Sequence, residues 1–203
     1  MQDQFGQDRQ FKLIRHAANR GLGAAMMTGI SAAETEIVAV TDSDCSYDPS
    51  KLWDMLPALG PGVAAVTASP YHKDGGVDGV PEWRLILSKG ASALYRLVLN
   101  NKLATYTSCF RVYRRSAVER VSVHNDGFIG VAELLARLDF EGWRITEHPM
   151  VLEQRLFGRS KLKILKTVAG HLRLILELAR HRLTVGTPAD GANLSRNDLE
   201  RLP

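Results

Sequence analysis

The run Ile37-Val38-Ala39-Val40-Thr41 passes directly into Asp42-Ser43-Asp44-Cys45-Ser46-Tyr47-Asp48-Pro49. A short series of β-branched and small apolar residues, cut off by turn formers, predicts a buried strand, central in a parallel sheet. Alternate side chains of a strand share a face, so Asp42 and Asp44 point the same way just beyond its carboxyl end. Open α/β sheets place their ligands at that edge. Two neighbouring carboxylates repel each other, and a hard divalent ion carrying a diphosphate relieves the repulsion. The same residues also suit a polar turn or a helix cap before Pro49, so the Asp-x-Asp pattern takes its weight from its surroundings.

Those surroundings alternate in type. Residues 12–15 predict a short strand, 21–34 a small-residue helix, 37–41 the strand above, 50–59 a helix opened by Ser50, and 63–68 another strand. A loop over 69–81 follows, then an amphipathic helix over 82–99, a strand pair around 106–115, a helix over 131–142 and an extended segment over 144–155. Strand and helix alternate early and mix later, which predicts an α/β three-layer sandwich with a mostly parallel central sheet. The chain has 203 residues, 45% of them hydrophobic, enough to bury the core of one ordinary domain.

The last long helix, 162–183, carries Leu162, Ile164, Leu165, Val168, Leu172, Ile175, Leu176 and Leu178 at helical spacing, with Lys163, Lys166, Arg173 and Arg180 off that stripe. Such a helix either packs on its own domain or lies on a membrane surface with its cations near lipid phosphates. Trp83, Arg84, Lys89, Tyr95 and Arg96 give the helix over 82–99 the same mixture of interfacial aromatics and cations. Between Arg155 and Arg182 there are eight Lys or Arg residues against the single acid Glu177. Exposed aromatics do not interleave with these cations, so nucleic acid is not the expected partner. The sequence offers no apolar window long enough for a membrane span and no signal peptide, and Cys45 and Cys109 stand alone without metal-ligand spacing.

Several motifs then occur in one order. Asn19-Arg20-Gly21-Leu22-Gly23-Ala24-Ala25 forms a glycine-containing helix entry; Met26 stands where a dinucleotide fingerprint would place its third glycine. Asp42 and Asp44 follow, then the pair Arg84 and Ser88, four apart and on one helix face, and finally Arg155-x-x-Gly158-x-Ser160-Lys161. From about Lys12 to Leu183 the chain resembles the family 2 glycosyltransferases of the dolichyl-phosphate mannosyltransferase type, with their Rossmann-like GT-A nucleotide-sugar fold.

The resemblance implies a metal-dependent, inverting transfer of a sugar from a nucleotide-diphosphate donor, of GDP-mannose or UDP-glucose type, to a polyprenyl or dolichyl phosphate. It implies Mg²⁺ or Mn²⁺ held by Asp42 and Asp44, donor contacts from Asn19, Gly21, Gly23 and Asp42, and an acceptor-phosphate site of Arg84, Ser88, Arg155, Ser160 and Lys161. Asp44 and Glu133 are the expected catalytic acids, Glu133 being preferred over Asp126 as a base, or else orienting its helix and loop. The glycines of the 69–81 loop are expected to let it open and close over the acceptor, although Pro70 stands where such enzymes often carry an arginine.

The expected organisation is a GT-A domain over 1–161 lacking its first strands, an amphipathic juxtamembrane helix over 162–185 and a flexible tail over 186–203. The missing strands predict an uncovered sheet edge and weak donor binding, with pairing to a second copy or to a membrane protein. The expected location is peripheral, on the cytoplasmic membrane face. Two rival readings are a non-catalytic remnant that binds lipid phosphate and a transferase acting on a hydroxyl acceptor.

Overall fold

The computed structural model describes residues 11–154 and 164–185. Four strands form the central sheet: β1 (Ile37–Val40), β2 (Val63–Ser69), β4 (Arg111–Arg114) and β5 (Arg144–Pro149), in the order β1-β4-β2-β5. β2 and β5 pair in parallel, whereas β4 runs antiparallel to both of its neighbours. Three of the four strands therefore share a direction, and the opposed β4 is inserted between two of them. β2 is buried at every residue, as its continuous apolar sequence requires. β1 pairs with β4 alone among the described residues, and Ile37 on it is 46% exposed. The sequence places this strand centrally, but here it forms the edge of the described sheet.

Helices α1 (Leu22–Ser31), α3 (Glu82–Val98), α5 (Ile129–Phe140) and α6 (Ile164–Val185) build the larger layer on one face. The short α2 (Leu52–Met55), flanked by 3₁₀ turns at Pro49–Lys51 and Leu56–Ala58, covers the other face with Tyr47, Phe110 and Met150. A further short helix, α4 (Arg115–Val118), follows β4 directly. The 3₁₀ turn leading into α2 is capped by Asp48, whose Oδ1 accepts from Ser50 N at 2.9 Å, two residues before the Ser50 start expected from the sequence. Hence three layers form, as the alternation predicts.

Two expected strands are absent. Residues 12–15 pair with no strand among the described residues, and Phe11, Leu13 and Ile14 are exposed. The strand pair around 106–115 reduces to β4, because the preceding segment is held by side chains instead of a ladder. Ser92 Oγ accepts from Tyr106 N at 3.2 Å, and the Glu147 carboxylate accepts from Ala104 N and Thr105 N at 2.8 and 3.0 Å.

The loop after β2 is tied down. Its β3 (Gly76–Val77) pairs in parallel with β6 (Val151–Leu152), and Asp78 N donates to Leu152 O at 2.8 Å. A Cβ at Gly75 would lie 2.5 Å from Ser69 O, so this glycine is needed for close chain approach. α6 packs between α3 and α5 through His171, Leu174, Ile175 and Leu178, all buried. Leu165, Leu172, Leu176 and Leu183 on the same helix remain exposed, so the packed and exposed apolar positions lie on different faces.

Candidate active site

A cleft of about 1350 Å³ opens at the carboxyl end of β1. Its walls come from the entry to α1, the Asp42–Tyr47 turn, the loop before α3, the first turns of α3, the segment 105–109 and the amino-terminal half of α6. Asn19, Gly21, Asp42, Asp44, Arg84 and Ser88 all line it, so one cavity gathers most of the residues expected from sequence. Arg155, Ser160 and Lys161 lie outside the described residues.

The turn carrying the carboxylates is sharply shaped. Cys45 adopts φ 54°, a left-handed conformation uncommon for a residue with a side chain. It reverses the chain so that Asp44 Oδ1 accepts from Ser46 N at 3.1 Å and Ser46 Oγ at 2.6 Å. Ser46 O in turn accepts from Glu153 N at 2.9 Å, which fastens the turn to the end of β6. Asp42 contacts the buried Cys109 thiol, which donates to it. Burial pushes that thiol up to about 12; Asp42 pushes the same way and Arg111 opposes.

Among the described residues no third His, Cys, Asp or Glu joins Asp42 and Asp44 in a metal-ligating cluster. Two half-buried carboxylates facing a roomy cleft nevertheless fit Mg²⁺ or Mn²⁺, hard ions commonly held by one or two carboxylates with substrate phosphates completing the shell.

Arg84 and Ser88 stand on one face of α3, as their spacing predicts. The Ser88 and Thr107 hydroxyls are hydrogen-bonded at 2.7 Å, and the Arg84 guanidinium lies over the Trp83 ring at 5.2 Å. Arg84 Nε is buried and has no hydrogen-bond partner among the described residues. An orphaned cationic donor at a cleft wall is the feature an anionic ligand would satisfy. Beyond it the wall turns apolar, with Ile86, Leu87 and Leu94 of α3 facing Ile164, Leu172 and Ile175 of α6.

Two expected site residues serve the scaffold. Gly23 N and Ala24 N donate to Gly127 O and Asp126 O at 3.1 and 2.9 Å, so these helix-terminal amides are already used by the chain. A Cβ on Gly23 would lie 2.4 Å from Asn125 O. Gly23 therefore packs a loop against α1, and it lines a separate cavity of about 440 Å³ with Arg20 and Asp126. Arg20 and Asp126 are 3.6 Å apart on the exposed rim.

Glu133 is fully buried on α5 and does not line the cleft. Its carboxylate accepts from His124 N, Asn125 N, Asn125 Nδ2 and both Nε and Nη2 of Arg137, at 2.7–3.2 Å. Burial works to raise its pKa, but the Asn125, Arg137 and His124 donors outweigh burial and hold it below the ordinary carboxylate value. A carboxylate so saturated orients helix and loop, the alternative to its role as base.

His171 and Arg111 escape the sequence reading. His171 lines the inner wall, 2.9 Å from the Tyr95 hydroxyl and edge-on to Phe128. Burial lowers its pKa to about 4. Arg111, the one cation within the apolar run Cys109-Phe110-Arg111-Val112-Tyr113, is completely buried on β4. That placement within a strand-like run is the signal that could have found it.

An α/β sheet with acidic residues at a strand end, an inserted antiparallel strand and a helical layer over one face defines a GT-A-type domain. Glucosyl-3-phosphoglycerate synthase from Mycobacterium tuberculosis, solved with Mn²⁺ and UDP-glucose, shares this fold with a TM-score of 0.56 at 18% identity, over 89% of this chain and 58% of that one. The family model of glycosyl transferase family 2 matches residues 1–122, and the chain belongs to that family. It is 30% identical over 171 residues to a dolichol-phosphate mannosyltransferase of Pyrococcus furiosus, covering 83% of this chain and 48% of the relative. It is 28% identical over 156 residues to a polyprenol monophosphomannose synthase of Mycolicibacterium smegmatis, covering 74% and 59%. The chain thus spans about half the length of the curated relatives it matches.

Proposed function

We propose that this chain carries the transfer site of a glycosyltransferase that moves a sugar from a nucleotide-diphosphate donor to a polyprenyl phosphate at the cytoplasmic face of a membrane. The observation that carries this reading is the polarity of the cleft. Asp42 and Asp44 occupy one part, while Arg84 Nε, which has no hydrogen-bond partner among the described residues, and Ser88 share another wall that continues into apolar side chains of α3 and α6. A diphosphate with its metal suits the first part, and a phosphate bearing a hydrocarbon tail suits the second. The names of the two curated relatives support the same pairing of substrates.

A bound Mg²⁺ or Mn²⁺ would neutralise charge on the departing diphosphate. Asp42 and Asp44 would hold it, and Ser46, bonded to Asp44, fixes the carboxylate that faces the cleft. Arg84 and Ser88 orient the lipid phosphate so that one of its oxygens attacks the anomeric carbon as the bond to the diphosphate breaks, inverting that centre. A phosphate oxygen is already ionised near neutral pH and needs no base. The saturation of Glu133 fits such an acceptor better than a hydroxyl that would depend on that residue.

Leu165, Leu172, Leu176 and Leu183 of α6 and Ile86 and Leu97 of α3 are exposed, and these apolar side chains would meet the lipid surface. Among the described residues no helix is long and apolar enough to cross a membrane.

The test is incubation of the chain with Mn²⁺, labelled GDP-mannose or UDP-glucose, and polyprenyl phosphate in detergent. Label should enter the lipid, and Arg84→Met should raise the acceptor KM about tenfold or more, as loss of a charge-assisted contact implies. Label passing only to sugar hydroxyls, or an unchanged acceptor KM in Arg84→Met, would refute the assignment. A second reading, a lipid-phosphate binder that transfers nothing, is favoured by β1, beside the donor end, pairing on one side only among the described residues. Binding to polyprenyl phosphate vesicles without label transfer would select it.

A further inference from the structure

Arg111 has no solvent exposure and forms no ion pair among the described residues. Its guanidinium donates only to neutral acceptors: Nε to Thr67 Oγ1 at 3.2 Å, Nη1 to Tyr113 OH and Val131 O at 3.1 and 2.5 Å, and Nη2 to Tyr106 O at 2.8 Å. These bonds satisfy its donors but leave its charge unbalanced, and a buried cation without a counter-charge is strongly unfavourable. Strand register indicates where balance comes from. Val40 on β1 is opposite Arg111 on β4. Two residues further along the same antiparallel register, Asp42 falls opposite Cys109, and these two side chains are in contact. Opposed residues share a sheet face, so Asp42, Cys109 and Arg111 lie on one side, with Asp42 and Arg111 a diagonal pair about 7–8 Å apart. The bond to Tyr106 O also steadies the segment from which Thr107 reaches Ser88 and Cys109 reaches Asp42.

We infer that Arg111 is a positioning residue of the transfer site: it fixes the 106–109 floor of the cleft and holds a permanent positive charge behind the Asp42 and Asp44 carboxylates. This rests on the reading of those carboxylates as the donor end. The charge eases the mutual repulsion of the two carboxylates, weakens their hold on a bare cation and favours a diphosphate-bearing ligand. A unit charge at that separation, screened by a medium between protein and water, alters ion binding on the order of fivefold.

The experiment compares the wild-type chain with Arg111→Met and Arg111→Lys. It uses Mn²⁺ alone, followed by electron paramagnetic resonance, and inorganic pyrophosphate with Mn²⁺, followed by calorimetry. Arg111→Met should bind Mn²⁺ about fivefold more tightly and pyrophosphate about fivefold more weakly, while Arg111→Lys keeps the wild-type Mn²⁺ affinity. Opposite signs cannot come from loosened packing. A fall in both affinities, or no change in either, would overturn the inference. If neither variant folds, Asp42→Asn decides. Neutralising the partner of a buried cation should lower the melting temperature, whereas a rise, as expected from relief of acid-pair repulsion alone, overturns the proposal. The underlying site reading is checked separately by loss of Mn²⁺ binding in Asp42→Asn.

Discussion

Lowering the pH from 7 to 5 should loosen α6 from the domain through a single side chain. His171 is 6% exposed, lies between the Tyr95 and Phe128 rings and is hydrogen-bonded to the Tyr95 hydroxyl. Burial lowers its pKa from the ordinary 6.5 to about 4. A depressed folded-state pKa means that the unfolded chain takes up a proton first as pH falls. The neutral imidazole's contribution is complete above 6.5 and is lost between 6.5 and 4. That interval corresponds to about 3 kcal/mol in full, and to about 2 kcal/mol at pH 5. For a domain of this size the loss at pH 5 lowers the melting temperature by roughly 4–8 °C. Thermal unfolding followed by circular dichroism at pH 7 and 5, for wild type and His171→Gln, measures it. The variant lacks the titrating group, so subtracting its slope isolates His171. Equal slopes in the two proteins would refute the argument, because burial would then not be holding the imidazole neutral.

Glu133→Gln should lower stability by about 2–3 kcal/mol at pH 7, since Arg137 and the 124–125 amides lose a buried charged acceptor; the difference should shrink below pH 4.5, where the native carboxylate's advantage is lost, and urea unfolding at two pH values reads both. Gly23→Ala should cost about 2 kcal/mol or more, because its Cβ would meet the Asn125 carbonyl at 2.4 Å, with a lowered urea midpoint as the readout. Iodoacetamide at pH 8 should modify half-buried Cys45 well before Cys109, whose thiol stands at about 12, and peptide mass spectrometry would show the order.

The features legible in the sequence were those fixed by local pattern. The continuous apolar β2 specifies a strand buried on both faces, while the apolar run ending in Asp42 and Asp44 and the four-residue spacing of Arg84 and Ser88 on a helix specify side-chain directions, and the structure brings those four residues to one cleft. Features decided by long-range partners were not legible. Residues 12–15 have strand-like composition but no partner in the described sheet, and the amides of 104–106 donate to the Glu147 and Ser92 side chains instead of to a neighbouring strand. Glu133 reads as a base only until its donors are known. Its apolar flanks and Arg137 one turn later were the signs of a buried staple. Helical spacing puts Leu165, Leu172, Ile175, Leu176 and Leu178 on one apolar stripe of α6, but the helix docks through His171, Leu174, Ile175 and Leu178, and Leu165, Leu172, Leu176 and Leu183 stay exposed.

The pairing of β3 with β6 sets a scale for access to the cleft. Freeing the 70–80 loop breaks the bonds from Asp78 N to Leu152 O and from Gly76 N to Met150 O, while the 153–154 strand end stays fastened to Ser46. At roughly 1 kcal/mol for each net bond, separating those two together with the rest of the β3–β6 pairing leaves fewer than about one molecule in thirty open at any instant. The loop therefore behaves as a latch that is shut most of the time and released by thermal motion. Because its fixed side is anchored to the same turn that carries Asp44, a shift of that turn on ligand binding changes how often the latch is free.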